Sequence, residues 1–288
     1  MVKARGRAVS AVTPGWAEEK FPGDPGVELS CRWLDHPNPI HTLVILHGYG
    51  EHSGRYLKFA DRLSGMRLRV AVLDYRGMGD ADAAKEAVLF DDYLTDVSSL
   101  VTHLRIRHGV KGGIVFLGHS LGGLVAFEWA RQNPAEVKRL ILSAPFIGFP
   151  NLPFWRAVNA IVRFLFPAHV YKNPVIPTRL THDPEETRLY RSDPLIKRYI
   201  SAKLIGSIFD RIAAIWKAES LVMPCPVHVL AAGDERIVDS RAARKFFDRL
   251  VAPGKEFSRF EGFYHEIFNE VGQKQPFNVL KTILEDCV

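Results

Sequence analysis

Cysteine is scarce. Cys31, Cys225 and Cys287 are the only three in 288 residues, with no C-x-x-C pair among them. That excludes a disulfide scaffold and fits a reducing compartment, with the cytoplasm as the expected location. Long apolar runs are lacking too. The greasiest stretch, residues 146–166, is broken by Pro150, Pro153, Arg156, Asn159 and Arg163, short of the roughly 18 uninterrupted residues of a spanning helix. Charge of one sign is not concentrated. Thirty-eight Lys and Arg against 32 Asp and Glu leave a formal +6, too little for a nucleic-acid footprint but compatible with an anionic lipid surface. A composition of 47% hydrophobic and 24% charged residues excludes a disordered or collagen-like chain. Residues 1–20 carry Lys3, Arg5 and Arg7 but no apolar signal core, and read as a loose tail.

Short β-branched runs recur at 27–34, 42–46, 69–73, 113–117, 139–143, 226–231 and 256–260. Stretches with apolar residues at helical spacing separate them, at 55–63, 93–107, 121–132 and 241–250. Runs such as Leu43-Val44-Ile45-Leu46 are apolar at every position, as strands covered on both faces require. The fold class expected is α/β, a mostly parallel sheet with helices on both faces. About 80 residues separate the strand ending near Ser143 from the next one, far beyond an ordinary crossover. Residues 145–222 are therefore expected as a helical insertion, with 21–144 and 223–288 forming the core. In the insertion, Phe154, Val158, Ile161, Val162 and Leu165 share one helical face, and Arg156, Asn159 and Arg163 the other.

Gly118-His119-Ser120-Leu121-Gly122 follows a strand directly and opens a helix. This is the G-x-S-x-G setting in which a serine hydroxyl stands above the sheet as a nucleophile. A serine that attacks acyl carbonyls needs N–H donors for the oxyanion. Leu121, next in the chain, offers one, and Tyr49 in His47-Gly48-Tyr49-Gly50 offers the second. The same glycines fail as a dinucleotide fingerprint, because Gly54 comes one residue late. The serine also needs a base. Of 11 histidines, His265 alone follows the last strand, in a loop from which an imidazole can reach the serine. It is not part of a zinc motif, since H-E-x-x-H would need histidine where Asn269 stands. The acid that orients it belongs after the strand at 226–231, where Asp234, Glu235 and Asp239 are all available; Asp239 also suits the cap of the following helix.

These motifs resemble those of the α/β-hydrolases in the monoglyceride lipase and bacterial lysophospholipase group, over roughly residues 27–284. His47-Gly48-Tyr49-Gly50-Glu51-His52-Ser53-Gly54-Arg55-Tyr56 is similar to that group's oxyanion loop. Gly118 to Gly123 is similar to its nucleophile elbow, Ser192-Asp193-Pro194-Leu195 to a motif late in its cap, and Glu261 to Glu266 to its histidine loop. Matching Arg236-Ile237-Val238-Asp239 to the family's acid motif puts Glu235 where relatives carry aspartate, with Asp234 in reserve. The loop from Met78 to Ala83 departs from the family pattern, which affects the substrate pocket and not the triad.

The resemblance implies a cap over the active site and hydrolysis of one fatty-acyl ester of a glycerolipid, with lysophospholipid as the alternative substrate. A hydrolase fold retained only for ligand binding is a further alternative. Phe146, Phe149, Phe154 and Trp155 are expected to line an acyl tunnel or to meet a lipid interface. No cofactor, metal or nucleic acid is expected.

Overall fold

The computed structural model describes residues 15–23, 26–63, 65–81 and 88–287. Residues 1–14 of the expected tail, and Asp82 and Ala83 of the departing loop, lie outside them. In chain order the strands are β1 (Trp16–Pro22), β2 (Glu28–Leu34), β3 (His41–Leu46), β4 (Leu68–Asp74), β5 (Ile114–His119), β6 (Val137–Ser143), β7 (Val170–Lys172), β8 (Tyr199–Ser201), β9 (Leu221–Val222), β10 (Val227–Ala232), β11 (Leu250–Val251) and β12 (Lys255–Phe260). The helices are α1 (Leu57–Asp61), α2 (Phe90–His108), α3 (Leu121–Gln132), α4 (Leu152–Leu165), α5 (Pro184–Ser192), α6 (Ala202–Lys217), α7 (Ser240–Arg249) and α8 (Lys274–Glu285).

Eight strands form one sheet in the order β1-β2-β4-β3-β5-β6-β10-β12. The two pairings at the β1 edge are antiparallel, and the others are parallel. Strand periodicity explains why the central runs are apolar throughout. Val44, Leu46, Ala71 and Leu73 join the core under α2 and α3. Leu43, Ile45, Val70 and Val72 face the opposite core, with Phe59 of α1 and Phe277 and Leu280 of α8. Each parallel strand thus feeds two cores on alternate residues.

The sequence suggests a loose tail as far as Lys20, whereas Trp16–Pro22 is the edge strand β1, paired with β2 along its whole length. Its alternation is faint because Trp16 and Phe21 alone are buried in it. The segment between β6 and β10 carries α4, α5, α6 and the small β7–β8 pair, outside the main sheet. Among the described residues, no helix is long and apolar enough to cross a membrane.

Candidate active site

Ser120 occupies the one-residue turn between β5 and α3, at φ 52° and ψ −116°. A side chain is strained at that positive φ, and it persists only where surroundings over-determine it. Here they do. The Ser120 N–H donates to the Ser143 carbonyl at 2.9 Å, and the Ser120 carbonyl accepts from the N–H groups of Gly123 and Phe146 at 3.0 and 2.9 Å. The flanking glycines are required by close approach. A Cβ on Gly122 would lie 2.0 Å from the Leu46 carbonyl oxygen, and one on Gly118 would lie 2.4 Å from that of Gly122.

The loops that follow β10 and β12 bring an acid and an imidazole together. His265 Nδ1 lies 2.7 Å from Glu235 Oε2, with both side chains buried. Glu235 Oε1 accepts from the N–H groups of Ile237 and Val238 at 2.7 and 3.3 Å, which fixes the carboxylate. Burial opposes the charge on both groups, but each sustains the other. Burial pushes the Glu235 carboxyl up, and the His265 charge with these hydrogen bonds brings it below the ordinary 4.5. Burial pushes the His265 imidazole down, and Glu235, then Glu266 and Glu51, lift it above the ordinary 6.5. Asp234 instead turns to solvent and pairs with Arg236 at 2.7 Å, while Asp239 caps α7 by accepting from the Arg241 N–H.

The loop after β3 runs alongside Ser120, since a Cβ on Gly48 would come within 3.3 Å of the serine Cβ. Among the described residues, the N–H groups of Tyr49 and Leu121 have no protein acceptor. The inserted segment holds this loop at three points. The Tyr49 hydroxyl donates to the Tyr199 carbonyl at 2.7 Å, the Lys197 N–H donates to the Gly50 carbonyl at 2.9 Å, and His52 Nε2 meets Asp193 Oδ2 at 2.7 Å.

Ser120, His265, Tyr49 and Leu121 all line one cavity of about 500 Å³. Most of its remaining wall is apolar, with Phe146, Phe149 and Trp155 among the contributors. Phe154 does not line it. It stands 61% exposed, one residue around α4 from the cavity-facing Trp155. On α4, Val158, Asn159 and Val162 line the cavity; Asn159 is buried and bonds to the Ala202 carbonyl and Tyr171, while the half-exposed Arg156 bonds to Asp210 on α6. The arginines of α4 are therefore held by Asp210, and the apolar residues Phe154, Ile161, Phe164 and Leu165 face solvent.

Glu51, Arg55 and Glu266 lie within the loop motifs, yet the sequence assigns them no task. Arg55 bonds Glu266 through two nitrogens, each at 2.8 Å, and also bonds Glu51. Glu51 accepts from the Gly48 N–H and the Tyr56 hydroxyl, each at 3.0 Å. One buried cation thereby joins the Tyr49 loop to the loop carrying His265. The signal lay in the charged residues at 51, 55 and 266, which have no reason to sit inside apolar loops unless they are paired.

Known proteins place this architecture. The family described as serine aminopeptidase, S33, matches residues 37–272. A monoacylglycerol lipase of Mycolicibacterium smegmatis is 27% identical over 90% of this chain and 93% of its own. Phospholipase YtpA of Bacillus subtilis is 25% identical over 87% of this chain and 97% of its own. The crystal structure of a monoacylglycerol lipase from Paleococcus ferrophilus superposes with a TM-score of 0.78 at 26% identity, over 90% of this chain and 99% of that one. Fold, elbow and match together make this chain an α/β-hydrolase of the monoglyceride lipase group, belonging to the serine aminopeptidase S33 family.

Proposed function

We propose that the protein is a serine carboxylester hydrolase that removes a single fatty-acyl chain from a glycerolipid, with monoacylglycerol as the leading substrate. Ser120 Oγ attacks the ester carbonyl while His265 Nε2 takes its proton and Glu235 holds the imidazole from the Nδ1 side. The N–H groups of Tyr49 and Leu121 receive the oxyanion. Collapse breaks the ester C–O bond, and His265 returns the proton to the departing glycerol oxygen. Water then gives a proton to His265, adds to the acyl carbon, and releases fatty acid and the serine hydroxyl.

The observation that carries this reading is the apolar cavity into which serine and imidazole both open. Its size and largely apolar wall suit an acyl chain. An aminopeptidase would need a free carboxylate there for a substrate ammonium group. The two acids on the cavity wall, Glu51 and Glu266, are both already bound to Arg55. The lipase relatives named above favour the same reading.

Lysophospholipid is the second reading. Lys172 and Arg179 line the cavity, are exposed, and have no side-chain partner among the described residues, which suits a headgroup phosphate. Turnover of monoacylglycerol and of an anionic lysophospholipid of equal chain length ranks the two. A fluorophosphonate is expected to label the parent and not Ser120→Ala; no labelling of the folded parent would leave only a binding module.

The inserted segment is proposed as a cap that meets lipid surfaces. Phe154 at 61% exposure and Phe164 at 85% put large apolar groups in water on the helix whose other side lines the cavity. Phe154→Ser/Phe164→Ser is expected to lower partitioning onto phosphatidylglycerol-containing vesicles at least about tenfold, at roughly 1.5 to 3 kcal/mol per inserted side chain. Turnover of a short water-soluble ester should stay unchanged. Equal partitioning of variant and parent would remove the membrane contact.

A further inference from the structure

Away from the cavity, β1 and the end of α2 bring together three metal-competent side chains. Glu19 Oε2 lies 2.8 Å from His103 Nε2 and 2.9 Å from His108 Nε2, and one donor atom from each residue lies within 4.8 Å of the other two. The two imidazoles converge almost at right angles, with centroids 5.7 Å apart. Each ring is already fixed from one side. Phe21 stacks on His103 at 4.6 Å, and Trp33 stacks on His108 at 4.2 Å. The side chains of Glu19, His103 and His108 are 21%, 16% and 13% exposed, shielded but reachable. None of the three lines the cavity that holds Ser120.

We propose that Glu19, His103 and His108 form a binding site for a zinc-class divalent metal ion, which ties the edge strand β1 to the C-terminal end of α2. Two imidazole nitrogens and one carboxylate oxygen are the donors that Zn²⁺ and its first-row neighbours favour, whereas Mg²⁺ and Ca²⁺ demand oxygen. Zn–N and Zn–O bonds of about 2.0 to 2.1 Å put neighbouring tetrahedral donors about 3.3 Å apart. The two Glu–His separations therefore need to open by about half an ångström, and the two imidazole donors, within 4.8 Å of each other, need to take the same spacing. On binding, each neutral imidazole carries its proton on Nδ1 and gives the Nε2 lone pair to the metal. Water takes the fourth position. The role is structural, because the ion is bound outside the cavity in which the ester is cleaved.

The test is calorimetric titration of chelator-treated, tag-free protein with Zn²⁺, followed by Co²⁺ titration read by visible absorption. One Zn²⁺ per chain is expected at micromolar concentration, with a raised Tm and no competition from excess Mg²⁺ or Ca²⁺. His103→Gln and His108→Gln keep an N–H for Glu19 but lose the metal-binding nitrogen. Each is expected to fold and to weaken Zn²⁺ binding at least about tenfold, while metal removal leaves ester hydrolysis by the parent unchanged. Absence of micromolar uptake, or equal uptake by parent and both variants, would overturn the site and leave a hydrogen-bonded trio. A loss of hydrolysis on chelation would overturn the structural role without touching the serine mechanism.

Discussion

Glu235→Gln is expected to lower kcat about 10,000-fold on a water-soluble ester, while Asp234→Asn stays near the parent rate. The two acids are adjacent in sequence, yet Glu235 Oε2 sits 2.7 Å from His265 Nδ1, and Asp234 faces solvent beside Arg236. A glutamine can present its amide N–H to Nδ1 and so favour the tautomer that keeps the proton on Nε2. That nitrogen then cannot accept the serine proton. The pH profile gives a second readout. His265 works as the neutral base, so kcat/KM falls as pH drops through its pKa. Burial lowers that pKa, and Glu235 raises it past 6.5, which places the parent's acid limb above 6.5. Without the carboxylate charge, burial dominates, and the limb moves to lower pH. An unshifted limb together with full activity in Glu235→Gln would remove this residue from the triad.

Why Glu235 needed more than the chain's own pattern follows from what sequence encodes. Strands such as β3 and β5 are buried on both faces, so every residue is apolar and their runs are legible. The elbow is legible because Gly118 and Gly122 are the only residue type that fits beside their neighbours' backbone. His265 followed from chain order. Three carboxylates within six residues of one another differ only in which way they point, and direction is a tertiary property. β1 was hidden for a related reason. Glu18, Glu19 and Lys20 are charged, although Glu19 faces α2 and the strand is fully paired. The amphipathic pattern of α4 was readable, but not how its apolar face divides, with Val158 and Val162 on the cavity and Phe154, Ile161 and Leu165 in water. His103 and His108 are five apart, not the four that places two imidazoles on one helical face, and their convergence depends on β1, Phe21 and Trp33.

The second large effect concerns stability. Arg55→Met is expected to destabilise the fold by about 3 to 5 kcal/mol at neutral pH, the usual consequence of stripping the partner from buried charge. Arg55 is 9% exposed and Glu266 4%, and Glu51 is similarly enclosed, so water cannot take over the lost bonds. Burial pushes the Glu51 carboxyl up, and Arg55, with smaller help from His119 and His47, brings it far below 4.5. A carboxyl depressed in the folded state stabilises above its unfolded pKa, and that contribution is lost as pH falls through the folded value. In the variant the largest opposing charge is gone, and burial pushes the Glu51 carboxyl up. The deficit should therefore be full at pH 7 and narrow as pH approaches 4.5, where protonation relieves the uncompensated charge. Adding Glu51→Gln and Glu266→Gln to Arg55→Met should recover part of the loss, because two buried charges disappear with their missing partner. Urea unfolding of parent, single and triple variants across pH reads all of this. A deficit that does not change with pH, and is not recovered in the triple variant, would show that Arg55 contributes packing and not charge. Activity should fall with stability well below the melting range, since the Glu51 carboxylate holds the Gly48 N–H beside Ser120 and Glu266 adjoins His265. Loosening one cation would free both loops that must meet the substrate carbonyl together.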